Sequence, residues 1–274
     1  MIMNNYIKII IRFLLRKIGL LNWLRKIRYK RQHGNYIKQF KGQTKYSLEY
    51  RNIALTFSLA DPFSAIFFSS QFKKGIYEEK GLEVMLNSLT ENGVVIDVGA
   101  NIGYFTCFAG KYCSSGHVYA FEMGKSNFDI LNENVLLNRL NNVTTECYAV
   151  ADLSSEVLIQ DSAVGNAVLK IIEGKSQDDL VSVRCITLDE YCTTRNIFPD
   201  FIKIDVEGAE MKVLKGMTEI LSSKVKLLIE IHETDLKYFQ SSKEEVLNYL
   251  KSIGFKLEII GNDVQKNLLV LASK

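Results

Sequence analysis

Residues 93–106 read GVVIDVGANIGYFT. Val94, Val95 and Ile96 are β-branched in succession, the composition of a strand buried on both faces. Asp97-Val98-Gly99-Ala100-Asn101-Ile102-Gly103 interrupts the run, and Tyr104 to Tyr112 resumes with Phe105, Phe108 and Ala109 at helical spacing. The segment is a strand, a glycine turn and a helix.

Strand-like and helix-like runs alternate onward from Val94. Strands are expected near 94–98, 117–121, 143–149, 201–206, 225–232, 255–260 and 267–272, and helices near 104–113, 126–138, 209–221 and 243–253. This alternation implies an α/β fold with a doubly wound, largely parallel sheet of seven strands. Two further runs, Glu156 to Gln160 and Val181 to Leu188, read as an excursion beside the sheet. Gly261-Asn262-Asp263 joins the last two strands as a hairpin and brings an antiparallel strand to the sheet. Upstream, residues 46–80 carry no regular pattern beyond an apolar cluster at Ala65 to Phe68 and a turn signal at Lys73-Lys74-Gly75. Gly75-Ile76-Tyr77-Glu78 is either a lid over the site or a plain connecting turn.

The composition, 47% hydrophobic and 24% charged, is that of an ordinary soluble globular chain. Its net charge of +3 hides an asymmetry. Residues 1–45 hold 12 cations and no acid, leaving 22 of the 34 cations against all 31 anions in the remainder. Within that arm Ile7, Ile10, Ile11, Leu14, Ile18, Leu21 and Leu24 form one helical stripe flanked by cations. Arg12, Arg16 and Lys17 break the run too early for a spanning helix, which needs about 20 apolar residues, and they also fall inside the core of any secretory signal. The arm therefore reads as a surface helix on an anionic membrane, over residues 1–31, or as a helix packed on the body with its charges in water. Nucleic acid is the less favoured partner, because no groove-reading motif accompanies the charge. The division expected is a basic amphipathic extension over 1–60 and a catalytic domain over 61–274. The five cysteines are odd in number and form no C-x-x-C pair, which suits reduced thiols and a cytoplasmic setting, with the membrane's inner face as the peripheral option.

In doubly wound sheets ligands bind outside the carboxyl ends of the strands, so the first strand aims Asp97 and Gly99 at the site. A dinucleotide turn needs G-x-G-x-x-G for its pyrophosphate. Here the turn is G-A-N-I-G, which suits a ligand without phosphates. Gly99 and Gly103 admit a bulky group close to the backbone, and Asp97 is expected to face a cationic part of it. Glu122 ends the second strand, twenty-five positions after Asp97, where a carboxylate accepts hydrogen bonds from both hydroxyls of a ribose. A nucleoside bearing positive charge rather than phosphate fits S-adenosylmethionine.

VVIDVGANIGYFT, the following VYAFE, SNFDILNENVLLN, FIKIDVEGAEMKVLKG and LLIEIH together resemble the FkbM family of S-adenosylmethionine-dependent methyltransferases over about residues 75–235. Lys203-Ile-Asp205-Val-Glu207-Gly208-Ala-Glu210 is the most specific part of the match. The resemblance implies the Rossmann-like class I methyltransferase fold and methyl transfer to a hydroxyl oxygen of a sugar, glycolipid or related natural product. It implies cofactor contacts for Asp97, Gly99, Ala100, Asn101, Gly103 and Glu122. One departure is visible: Met123-Gly124 follows the ribose acid, where the family usually has Pro.

Methyl transfer is an in-line displacement that needs alignment and removal of the acceptor's proton. The fourth and fifth strands deliver Asp205, Glu207, Glu230 and His232 to the same edge as the glycine turn. His232, one of three histidines, is the candidate base, with Asp205 and Glu207 completing the catalytic set. Plainer readings stand beside this one: Glu210 complements a helix dipole, and His232 is a hydrogen-bonded residue at a strand end. The same acids and His232 also have the donor types of a divalent-ion site, but no metal is assigned. Two other functions remain open: a small-molecule O-methyltransferase whose arm does not meet a membrane, and a catalytically idle module that binds the adenosyl ligand.

Overall fold

The computed structural model describes residues 42–71, 76–160, 180–262 and 267–274, together with Gly34, Lys38 and Phe40. The expected amphipathic helix and membrane surface of residues 1–31 lie outside the described residues, as do Lys73-Lys74-Gly75 and Asp263. Among the described residues no helix is long and apolar enough to cross a membrane.

The chain opens with β1 (Lys45–Tyr50) and β2 (Ile53–Ser58), then α1 (Pro62–Gln71) and α2 (Glu79–Ser88). The sheet proper begins at β3 (Val94–Val98), followed by α3 (Tyr104–Tyr112), β4 (His117–Phe121), α4 (Lys125–Leu137) and β5 (Val143–Glu146). The excursion comprises β6 (Ala149–Val150), β7 (Ser155–Gln160) and β8 (Leu180–Ile186). After α5 (Leu188–Arg195) come β9 (Phe201–Ile204), α6 (Glu210–Lys215), α7 (Thr218–Leu221), β10 (Lys226–Ile231), α8 (Glu233–Leu236), α9 (Lys243–Ser252), β11 (Lys256–Asn262) and β12 (Leu268–Ser273).

Seven strands form the main sheet in the order β11-β12-β10-β9-β3-β4-β5. The run from β10 to β5 is parallel, and β12 lies antiparallel between β10 and β11. The order reverses at β3, which therefore stands at the centre with its carboxyl end facing the ligand crevice. Strand alternation divides the core. Val95 of β3 joins Leu82, Phe105, Phe108 and Leu131 on one face, while Ile96 and Val98 join Leu188, Met211, Leu214 and Leu250 on the other. The excursion is a separate three-stranded sheet, as its alternating sequence implies, with β8 between β6 and β7.

Three expectations change. Regular structure occupies much of 46–71 and 76–80: β1 and β2 pair as a hairpin through Arg51-Asn52, both with positive φ (49° and 65°). Such a two-residue turn is usually announced by Asn-Gly or Asp-Gly, and Arg-Asn hides it. Helix α1 then starts at an Asp-Pro pair, with Asp61 Oδ1 accepting from the Phe63 amide at 2.7 Å. Second, the expected strand 143–149 stops at Glu146, and Ala149–Val150 pairs instead with β8. Third, the helix expected over 209–221 is two helices. Gly216 separates them so close to another strand end that a Cβ there would lie 2.0 Å from the Ala151 carbonyl oxygen.

The hairpin is fastened to the body by two asparagines. Asn134 Oδ1 accepts from the Ser58 amide at 2.7 Å, and its Nδ2 donates to the Ile102 carbonyl at 2.7 Å. Asn138 exchanges both bonds with Thr56, at 2.9 and 2.7 Å. With Leu55 and Phe57 buried, residues 45–58 share the core of the catalytic body and brace the turn after β3.

Candidate active site

An open cleft lies at the carboxyl ends of β3, β4 and β9. Gly99, Asn101 and Glu122 line one side, Asp205 and Glu207 another, and Met123, Asn127, Tyr148, Ala149 and Val150 extend it beyond Glu122. Asp97, Ala100, Gly103 and His232 are not on this wall; they stand buried behind it.

The turn after β3 is defined by backbone. Gly99 has φ +81°, and a Cβ there would fall 1.8 Å from the Asp205 carbonyl oxygen, so only glycine lets the two loops touch. The amides of Gly99 and Ala100 both donate to the Phe121 carbonyl, at 3.0 and 2.9 Å. Gly103, at φ +84°, closes on Leu131 of α4. Asn101 takes the left-handed conformation (φ 52°), which asparagine tolerates better than most residues, and its buried Oδ1 has no hydrogen-bond partner.

Glu122 is held by two amides: Asn101 N–H donates to Oε2 at 2.8 Å and Gly124 N–H to Oε1 at 2.7 Å. Burial pushes its carboxyl up to about 7, against the pull of those two bonds. Each oxygen keeps further acceptor capacity toward the cleft. Two of these features fit S-adenosylmethionine: an acid with free acceptor capacity and an orphan amide oxygen.

Asp97 is engaged differently from the expectation that it meets a ligand's cation. Thr106 Oγ1 donates to its Oδ2 at 2.6 Å, and the cation beside its Oδ1 is the chain's own Lys203, with Nζ at 3.8 Å. Burial raises the Asp97 carboxyl above its ordinary value, against Lys203 and Thr106.

The other wall is a crowd of charges delivered by β9, β10 and the start of α6. His232 Nδ1 lies 2.7 Å from Glu210 Oε1, which also accepts from the Gly208 amide at 3.0 Å. Its Nε2 lies 3.4 Å from Glu230 Oε1, 3.6 Å from Asp205 Oδ1 and 3.9 Å from Glu207 Oε2. Burial disfavours the imidazolium, but the Glu210 bond and the charges of Asp205, Glu210 and Glu207 outweigh it and raise His232 to about 10. Glu230 moves up as well, to about 9, through burial and the charges of Asp205 and Glu78. Both shifts favour the protonated forms of these two neighbouring groups. One donor atom each of Asp205, Glu230 and His232 lies within 4.8 Å of the others, a spacing that a divalent ion also accepts.

Sequence reasoning missed Lys203 as a site residue, although it faces Asp97 in register across β3 and β9. It also missed Asn127, Tyr148 and Val150. The position of 148–150, just after the third parallel strand, is the signal that finds them.

A parallel sheet reversing at its first strand, with an antiparallel seventh strand inserted beside the fifth, is the class I methyltransferase arrangement. The FkbM methyltransferase domain matches residues 97–257, more than half of the chain, and the chain belongs to the FkbM family of S-adenosylmethionine-dependent methyltransferases. It is 32% identical over 159 residues to hexuronic acid methyltransferase AglP of Haloferax volcanii, covering 57% of this chain and 62% of that protein. A shorter stretch of 72 residues is 40% identical to the tRNA(Phe) (4-demethylwyosine(37)-C(7)) aminocarboxypropyltransferase of Methanocaldococcus jannaschii, 26% of this chain and 28% of the relative. The fold resembles that of the methyltransferase FkbM from Methylobacillus flagellatus KT with a TM-score of 0.51 at 18% identity, covering 88% of this chain and 59% of that one. The chain thus spans less than two thirds of the length of each of these proteins.

Proposed function

We propose that the protein transfers a methyl group from S-adenosylmethionine to a hydroxyl of a sugar, in a glycan or glycolipid. The observation that carries this reading is the single cleft that joins Gly99, Asn101 and Glu122 to Asp205 and Glu207. When bound, S-adenosylmethionine supplies a methyl group activated on a sulfonium. Glu122 accepts from the ribose hydroxyls and Asn101 offers its free Oδ1, while Gly99, Ala100 and Gly103 let the turn pack on the Asp205 loop, Phe121 and Leu131 and so hold Asn101 in place. Asp97 supports the turn from behind through Thr106.

Across the cleft, the acceptor hydroxyl meets the carboxylates of Asp205 and Glu207. With the donor supplying the methyl group, Asp205 would take up the hydroxyl proton. His232 stands behind that carboxylate, its Nε2 3.6 Å from Asp205 Oδ1, and the surrounding acids favour its charged form, so the imidazole acts through Asp205.

The sugar acceptor rests on the hexuronic acid relative and on a carboxylate-lined cleft able to accept hydroxyl hydrogen bonds. The cation-flanked apolar stripe of residues 1–31 extends the search from soluble glycans to glycolipids at an anionic membrane surface. Mass spectrometry of polysaccharides and glycolipids from cells with and without the protein tests this reading. The expected result is one acceptor lighter by a single methyl when the protein is absent, matched by acceptor-dependent release of S-adenosylhomocysteine from the purified chain. Donor turnover on a non-sugar hydroxyl with unchanged glycans would discard the sugar. Donor binding without turnover on any hydroxyl would leave only a binding module.

A further inference from the structure

Lys203 sits on the central pair of strands, where a lysine has no access to water: it is 4% exposed, between β3 and β10. A buried ammonium is costly unless opposite charges and a fixed geometry surround it. Three partners do so. Its Nζ lies 3.0 Å from Asp205 Oδ2, 3.8 Å from Asp97 Oδ1 and 4.7 Å from the centre of the Phe105 ring. Glu78, ahead of α2, adds a further negative charge, and these acids hold the ammonium above its ordinary pKa against the effect of burial.

The consequence lies in Asp205. Its Oδ2 is tied to Lys203 and its Oδ1 faces His232 Nε2 at 3.6 Å, so both oxygens are flanked by cations while a quarter of the side chain remains open to the cleft. We propose that Lys203 is a positioning residue of the transfer site: clamped between Asp97 and Asp205, it fixes the plane of the Asp205 carboxylate that receives the acceptor hydroxyl. The clamp also links the strand carrying the donor turn to the strand carrying the transfer acid, because Asp97 and Lys203 are paired in register. A purely structural lysine would serve the fold equally well with either charge partner. This one divides its ammonium between a fully enclosed acid and one that opens on the site. The inference rests on the methyltransferase reading above.

Lys203→Met removes the charge with little loss of volume, and Lys203→Arg keeps it. The assays are calorimetry with S-adenosylmethionine, thermal melting, and transfer of labelled methyl to total polysaccharide and glycolipid extracted from cells lacking the protein. Lys203→Met is expected to leave donor affinity near the wild-type value and to lower kcat by about a hundredfold, the loss that a misplacement of roughly 1 Å produces. Lys203→Arg should recover most of it. Should Lys203→Met fail to fold, the double substitution Asp97→Asn/Lys203→Met leaves no unpaired charge in the enclosed position and is expected to bind donor while remaining slow. Wild-type turnover in either charge-free variant overturns the inference. So does a parallel loss of donor affinity and turnover, which would make Lys203 a prop of the fold. Wild-type protein that binds no donor sinks the methyltransferase reading and this inference with it, and that outcome is recognised before any substitution is made.

Discussion

The wall from Gly99 to Glu122 is made of backbone and one acid, whereas the facing wall gathers Asp205, Glu207, Glu210, Glu230, Lys203 and His232 around two strand ends. On the first side, positive φ angles and amide bonds set the geometry: Gly99, Asn101 and Gly103 shape the turn, and the Asn101 and Gly124 amides aim Glu122. On the second side no charge is understandable alone. The acids around His232 favour its charged form, burial and neighbouring acids favour the protonated form of Glu230, and Asp205 has Lys203 at one oxygen and His232 at the other. A backbone site tolerates change at its edges, while a charge network answers as a unit, so substitutions on the two sides should fail in different ways.

The largest effect is expected at His232. His232→Ala should cut turnover by about 10²–10⁴, because Asp205, the acid–base group, loses the partner it acts with, while calorimetry finds donor affinity close to wild type. The difference between the walls collapses if the variant loses donor affinity instead. Dialysis against a chelator sharpens the same point, since the charge network described above predicts unchanged turnover. Loss of turnover, restored by a divalent ion, would assign Asp205, Glu230 and His232 as its ligands.

The contrast also explains what was legible in the sequence. Val94 to Phe105 shows its strand, turn and helix by residue type alone, because β-branching, glycine and 3.6-residue spacing are local properties. Strands β3 and β4 accordingly fall where expected, as does α9, at whose start the Glu245 amide donates to Ser242 Oγ at 3.2 Å. The hairpin 45–58 stayed hidden because its turn is Arg51-Asn52 and its fastening comes from Asn134 and Asn138, about 80 residues away. Lys203 reads as one more residue of β9 until Asp97 is seen opposite it. The raised proton affinity of His232 is equally invisible from the chain, because Glu210, Asp205 and Glu207 reach it only in the folded structure.

A smaller effect is expected on the donor side. Removing the carboxylate in Glu122→Ala leaves ribose hydroxyls without a charged acceptor, a loss of about 1.5–3 kcal/mol. Donor affinity should fall roughly ten- to a hundredfold, with kcat at saturating donor little changed. That pattern is the inverse of His232→Ala, and calorimetry beside steady-state kinetics reads both. Unchanged affinity in a folded variant would take Glu122 out of the donor site and leave the backbone turn as the whole of that wall.

The smallest effect is in stability, and it isolates the charge network without any substrate. His232 is raised from 6.5 to about 10, so its proton stabilises the folded chain fully below pH 6.5, and that contribution is lost as pH rises through about 10. Glu230 is raised from 4.5 to about 9: the folded state holds a proton that the unfolded chain has released, so stability again falls as pH rises across that window. Both groups act in the same direction between pH 7 and 9. Melting temperature should therefore decline over this range, by about 2–4 °C for each kcal/mol withdrawn. His232→Gln removes the titrating ring and with it the ring's portion of the decline, while Glu230, no longer lowered by the neighbouring cation, titrates higher still, so the overall decline should be shallower. The Glu122→Gln variant, placed on the backbone-built wall, should keep that portion. Equal slopes in the wild type and His232→Gln would mean that the ring is neutral in the folded protein, and His232 would then be free to take the acceptor's proton directly.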